Sequence, residues 1–149
     1  MPTQRDEEPE LIFDHIGIVV SDIESGKAEL TGMLGALRWT RRFDDPILGV
    51  SVLFARDSSG VVYELIAPFG EKSPVAGTLR SRANLLNQIA YRTRVLDASV
   101  KRLRAAGAAP IGPAAPALAF GGARVQFLMV PLGFVVELVE VDRAIHVFN

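Results

Sequence analysis

Cysteine is absent from this chain of 149 residues, which removes disulfides, thiolate metal ligands and a cysteine nucleophile together. Histidine is scarce, with two in the whole sequence. Neither sign of charge dominates: 16 Lys and Arg stand against 17 Asp and Glu, for a net charge of -1. That balance gives no electrostatic reason to bind nucleic acid or an anionic membrane surface. No apolar run approaches the ~20 residues that cross a bilayer. The opening MPTQRDEEPE is acidic and polar, unlike a signal peptide, so a cytoplasmic location is the expectation. What remains, 49% hydrophobic and 22% charged, is the composition of one ordinary globular domain.

Within that composition the stretch GVVYELIAP, residues 60–68, stands out. Its β-branched and aromatic residues read as a strand buried on both faces, yet Glu64 lies in its middle. A buried carboxylate costs several kcal/mol unless an arginine, a raised pKa or a metal ion offsets it. The glutamate alone leaves all three open.

The stretch recurs. GFVVELV at Gly133 repeats GVVYELI at Gly60, an offset of 73 residues. The same offset lays GARVQFL on GVSVLFA, and LNQIAYRTRVLDASVKRL on FDHIGIVVSDIESGKAEL. Three segments aligned at one offset without a gap imply two homologous modules, 11–68 and 85–142.

Each module reads as βαβββ. LIFDHIGIVV and LLNQIAYRT open the two modules as strands. A helix follows each, the first with an apolar stripe of Ile23, Ala28, Leu30 and Leu34 and Asp22 as N-cap. The second is predicted to start at Asp97 and stop at Gly107. Strands at ALRWTRRF, VSVLFAR and VVYELIA complete module one; a weak run near APIG, then ARVQFLMV and FVVELVEV, complete module two. Between them 73–83 reads as a linker helix, with Ser73 as cap and Pro74 at its first position. AAGAAPIGPAAPALAFGGA reads as a loop or lid, 1–10 as a disordered tail, and 143–149 as a C-terminal tail with His146 on the surface.

The repeat superposes the polar residues that break the apolar pattern. His15 on the first strand falls on Gln88, and Glu64 on the fourth falls on Glu137. Taken singly, His15 reads as a satisfied core histidine and Glu64 as the partner of a core arginine or tyrosine. A pseudo-twofold between the modules instead brings four potential ligands toward one centre. Arg92 shares the Gln88 face by period two and is the candidate to hold a substrate carboxylate, the plainer alternative being solvent at the strand's end. Arg80 and Arg82 read as an exposed basic turn.

DHIGIVVSDIE, YELIAPFGEKSPVAGTL and IAYRTRVLDASVKRLRAAGA resemble the vicinal oxygen chelate superfamily, and within it the branch of glyoxalase I and methylmalonyl-CoA epimerase. The resemblance runs from Leu11 to Val141 and implies an α+β fold of two tandem βαβββ modules whose sheets enclose a cleft. It implies a divalent metal (Zn, Co, Ni, Mn, Fe or Mg) held by His15, Glu64, Gln88 and Glu137, a homodimer, and a small keto or thioester substrate. The reaction implied is proton transfer α to a carbonyl, as an isomerase, epimerase or glyoxalase-type lyase, with Glu137 as base and Glu64 as second choice. Two positions depart from the branch. Gln88 stands where a histidine is usual, and DDPILGV has Ile47 and Leu48 where a second acid is expected. The second departure favours a one-base shuttle over two-base epimerisation. The rival reading is a non-catalytic binding protein of the bleomycin-resistance kind; an O2-dependent oxygenase would need a second histidine.

Overall fold

A computed structural model describes residues 10–149. The tail expected over 1–10 lies outside the described residues except for Glu10, which is exposed and in no regular element. Module one runs β1 (Ile12–Val19), α1 (Ile23–Leu34), β2 (Arg38–Trp39), β3 (Phe43–Asp45), β4 (Val50–Arg56) and β5 (Val62–Pro68). After α2 (Ala76–Ser81), module two runs β6 (Leu86–Thr93), α3 (Leu96–Ala105), β7 (Ala109–Pro116), a 3-10 turn (Leu118–Phe120), β8 (Arg124–Met129) and β9 (Val135–Glu140).

The halves join edge to edge into one sheet, ordered β2-β4-β5-β1-β6-β9-β8-β7, with β3 beside β4. The joint is the antiparallel pair β1–β6, and its register locates the symmetry axis. Ile16 faces Ile89, residues that differ by 73, while Gly17 faces Gln88 and His15 faces Ala90. Each of the last two pairs becomes the other when the modules are exchanged. The parallel pairs obey the same rule, Gly17 beside Glu64 in one half and Ala90 beside Glu137 in the other. So do the hairpins, with Phe54 opposite Glu64 and Phe127 opposite Glu137. Symmetry fails at the outer strand: Trp39 faces Ala55, but its counterpart position in β7 has slipped, so that Pro110 faces Leu128.

Period-two alternation divides the core. Leu53, Ala55, Leu65 and Ala67 pack under α1, and Leu128, Val136 and Leu138 under α3. The intervening residues Val52, Phe54, Ile66, Val125 and Val139 line the opposite face, where Phe120 and the C-terminal residues Ile145 and Phe148 close over them.

Local expectations fared unevenly. Asp22 caps α1, accepting from the Ser25 amide at 2.9 Å, but its buried stripe is Ile23, Gly26 and Leu30; Ala28 and Leu34 are exposed. The α3 cap is not Asp97, which lies inside the first turn; the helix begins at Leu96, whose amide donates to the Glu140 carboxylate at 2.8 Å. Ser73 does not cap α2 either, because its hydroxyl donates to the Gly49 carbonyl at 2.6 Å. The Ala/Pro/Gly segment is no loose loop: β7 and the 3-10 turn order it. VQFLMV supplies little free apolar surface, since Val125 and Leu128 are buried and Met129 is its exposed hydrophobe.

Candidate metal centre

β1, β5, β6 and β9 are the four central strands, and each delivers one of the out-of-place polar side chains. His15 is 0% exposed, Glu137 3%, Glu64 5% and Gln88 6%. His15 Nε2 lies 3.3 Å from Glu64 Oε1 and 3.2 Å from Glu137 Oε1. These three residues each offer a ligand atom within 4.8 Å of the others. Gln88 joins them by donating from Nε2 to Glu64 Oε1 at 3.1 Å. It enters because Gly17 has no side chain: a Cβ there would overlap Gln88 Cγ.

The distances are those of ion pairs, but the angles are not those of hydrogen bonds. His15 Nε2 and Glu137 Oε1 are both buried without a hydrogen-bond partner. The imidazole nitrogen faces the gap between two carboxylate oxygens and aims at neither. Polar atoms left unsatisfied in a dry interior are costly, and three donors turned on one point are the arrangement a divalent cation satisfies. The residues fit a metal ion.

Charge follows from the crowding. Burial pushes the Glu137 carboxyl up, with the neighbouring Glu64 charge adding, to about 7 against the close approach of His15. Burial disfavours the charged form of His15. The charge of Glu64, the Nδ1 hydrogen bond to Asp14 and the close carboxylates of Glu137 and Glu64 outweigh it and raise its pKa well above the ordinary value.

Asp14 is the member that the sequence pattern hides. Phe13 pairs with Tyr91 and His15 with Ala90, which leaves Asp14 as the extra residue of a bulge. Its carboxylate reaches His15 Nδ1 at 2.6 Å. That contact fixes a proton on Nδ1 and holds Nε2 toward the carboxylates, where it becomes a ligand atom once deprotonated, as carboxylate partners of metal-ligating histidines do. Burial pushes the Asp14 carboxyl up, but the hydrogen bond to His15, with the charges of His15, His146 and Arg92, brings it below its ordinary value. Arg92 stands behind it, its Nε 3.4 Å from Asp14 Oδ1.

His146 is not a surface residue. Its ring stacks on Phe54 with centroids 3.8 Å apart and lies 4.6 Å from Phe120. Phe54 presents an edge to His15 at 5.2 Å, and Phe120 stacks on His15 at 5.9 Å. The C-terminal residues thus roof the centre, pinned where the Asn149 amide donates to the Trp39 carbonyl at 3.0 Å. No sequence signal marks this, because it depends on where the chain travels after β9. Asp44 and Asp45 stay away from the centre: Asp44 bonds Ser51 and Arg42, and Asp45 accepts the amides of Ile47, Leu48 and Leu118.

Comparison with known proteins places this geometry. The sequence model of the Glyoxalase/Bleomycin resistance protein/Dioxygenase superfamily matches residues 14–127. An ethylmalonyl-CoA/methylmalonyl-CoA epimerase of Cereibacter sphaeroides is 34% identical over 132 residues, covering 88% of this chain and 96% of that one. Methylmalonyl-CoA epimerase of Mycobacterium tuberculosis superposes with a TM-score of 0.72 at 27% identity, over 88% of each chain. Methylmalonyl-CoA epimerase of Streptomyces coelicolor, solved in complex with 2-nitronate-propionyl-CoA, gives 0.69 at 25% identity over 87% of this chain and 97% of that one.

Proposed function

The chain belongs to the glyoxalase/bleomycin resistance protein/dioxygenase superfamily, and from that premise we propose that it is a metal-dependent epimerase of 2-alkylmalonyl-CoA thioesters. The observation that carries the reading is the convergence of His15, Glu64 and Glu137, with two unpartnered ligand atoms, in a chain 34% identical to an epimerase of that substrate class. It favours the epimerase over the glyoxalase-type lyase that the missing second acid suggested.

His15, Glu64 and Glu137 would hold the cation, and Gln88, whose Nε2 donates to Glu64 Oε1 in the metal-free chain, would join them through its amide oxygen on turning its carboxamide over. One nitrogen and three oxygen donors suit Co, Ni, Mn, Fe, Mg or Zn. Bound there, the ion supplies positive charge beside the thioester carbonyl oxygen and so acidifies the α C–H. The chain does the rest. Glu137 accepts the α proton at its carboxylate, which lies beside the cation and the bound carbonyl. Glu64 is the second choice for that role. Arg92, whose Nε lies 3.4 Å from Asp14 Oδ1 without a hydrogen bond, offers its terminal N–H groups to the free carboxylate of the malonyl unit. Phe54, Phe120 and Phe127 keep water from the carbanion.

The test is solvent exchange. Chain loaded with Co or Mn in D2O is expected to exchange the α proton of methylmalonyl-CoA. Glu137→Gln is expected to lower that rate by about 10²–10⁴ while metal content stays near wild type. No exchange with any of the six metals, together with tight binding of a planar ligand, would move the sequestering protein ahead. A homodimer belongs to the same reading. Sedimentation that shows only a 16.1 kDa species at roughly tens of micromolar rejects it.

A further inference from the structure

His15, Glu64, Gln88 and Glu137 are each at most 6% exposed, and His15 Nε2 and Glu137 Oε1 are fully covered. A cation or an acyl group can reach them only when part of the cover moves. Among the described residues, the rings against His15 are those of Phe54 and Phe120. Phe54 is held in place. It lies inside β4 opposite Glu64, and its amide and carbonyl both bond Thr40. Phe120 belongs to no strand. It ends the 3-10 turn and is followed by Gly121 and Gly122 at φ 65 and 86, with open space where their side chains would be. On its other side Phe120 lines an open cavity of about 670 Å³, together with Arg94, Arg143 and Ile145. One ring therefore separates that cavity from His15.

We propose that residues 117–123 form a lid and that Phe120 is its gate, swinging aside to admit the cation and the acyl end of the thioester from this cavity. Admission of a thioester rests on the epimerase reading above; admission of a cation rests on the ligand set alone. Two latches hold the lid shut. The Leu118 amide donates to Asp45 Oδ2 at 2.9 Å, while Asp45 Oδ1 is held by the amides of Ile47 and Leu48. The Ala119 carbonyl accepts from His146 Nε2 at 3.0 Å, and the His146 ring braces Phe120 at 4.6 Å. The base of the lid stays closed: the Ala117 amide donates to the Ala123 carbonyl at 3.0 Å, and Ala115 and Pro116 pair with Val125 and Arg124 beneath it. Asp45 thus has a function in the DDPILGV turn other than that of an acid: it ties module one to the cover of the site.

Leu118→Pro tests the latch with least disturbance. Ala117 has an extended backbone (φ -110, ψ 122) and Leu118 opens the turn, so proline fits there and removes only the amide that Asp45 holds. Asp45 Oδ2 then loses its partner in the closed lid, which favours opening. Phe120→Ala removes the gate itself. Stopped flow measures Co entering metal-free protein and Co leaving loaded protein for excess chelator. Both rates are expected to rise about 3–10-fold in Leu118→Pro, the change one hydrogen bond makes, and at least as much in Phe120→Ala. The dissociation constant from isothermal titration is expected to stay at the wild-type value, because a gate alters entry and exit alike. Unchanged rates in both variants overturn the proposal. So does faster release matched by weaker affinity, which is the mark of a packing residue.

Methylmalonyl-CoA added to Co-loaded protein supplies the second arm, its association read from the Co absorption spectrum. That rate is expected to rise by the same factor in Leu118→Pro. Association at the wild-type rate in both variants overturns this route for the acyl end. Failure of the epimerase reading looks different: methylmalonyl-CoA binds neither wild type nor variant, while the metal rates still report on the gate.

Discussion

In a regular strand Asp14 and His15 would point to opposite faces, and the carboxylate could not reach the imidazole. The bulge at Asp14 rotates it onto the His15 side. Asp14→Asn keeps the shape but lets the amide present either an acceptor or a donor to Nδ1. Metal affinity is expected to fall about 10–100-fold by isothermal titration, with little change in the thermal midpoint of metal-free protein. Gly17 is a second single-residue control. Gly17→Ala drives a methyl into Gln88 Cγ and against Ile66 Cδ1. Chemical denaturation is expected to show a loss of about 1–3 kcal/mol, and Gln88→Ala in the same chain is expected to recover part of it. His15, Glu64, Gln88 and Glu137 were legible from the sequence because polar residues in buried strands are rare and the 73-residue offset paired them. Asp14 and His146 were not. A bulge leaves no mark in the hydrophobic alternation, and a contact made by a tail depends on a path that no local pattern encodes.

Elements show the same division. The opening strands, the two long helices and the last two strands of each module follow from periodicity, and Asp22 behaves as its position before Ile23 predicts, whereas ALRWTRRF divides into β2 and β3 and the segment read as a loop holds β7. The start of α3 is set at long range, by a carboxylate from β9 rather than a residue near its own N-terminus. Glu140→Ala is expected to remove that cap and cost about 1 kcal/mol in urea unfolding, without altering metal affinity. Its pairing with Arg124 is partly exposed and adds little to this figure. The C-terminal segment is the other element whose role is tertiary. With it in place His15 is fully buried. Deleting 143–149 is expected to speed loading of Co into metal-free protein in stopped-flow measurements, while the equilibrium affinity, set by β1, β5, β6 and β9, changes little.

Across the whole molecule the metal-free centre couples stability to pH. Glu137 binds its proton up to about pH 7 when folded, against an ordinary value of 4.5, so the folded chain holds a proton that the unfolded chain releases in that window. His15 is raised as well. Its contribution is complete below 6.5 and disappears as pH passes its folded value. Both make stability fall as pH rises. Asp14, whose carboxyl is lowered, acts in the opposite sense on the acid side, and His146, lowered by burial, opposes them up to about 6.5, one group against two. Thermal denaturation of metal-free protein is therefore expected to give a lower midpoint at about pH 8 than at about pH 5. Divalent cation at 100 times its dissociation constant is expected to restore about 2.7 kcal/mol at the alkaline end, where fewer ligand protons have to be displaced than at about pH 5.

The junction between β1 and β6 also bears on how the chain can be cut. It joins two βαβββ halves by strand pairing, with the core shared by Phe54, Ile66, Phe120 and Val139 and the Leu118 amide on Asp45 beside it, while the covalent connection runs through α2, a short helix with no buried residue. Arg82, just past that helix, is exposed and has a left-handed backbone (φ 51), as expected of a turn rather than of packed structure. Severed there, the two fragments each keep one edge of the joint and half of the ligand set. Co-expressed as separate polypeptides, 1–82 and 83–149 are expected to elute together on gel filtration and to bind Co jointly, while neither binds it alone. Fragments that never associate would mean that the linker, and not the strand pair, holds the halves in register.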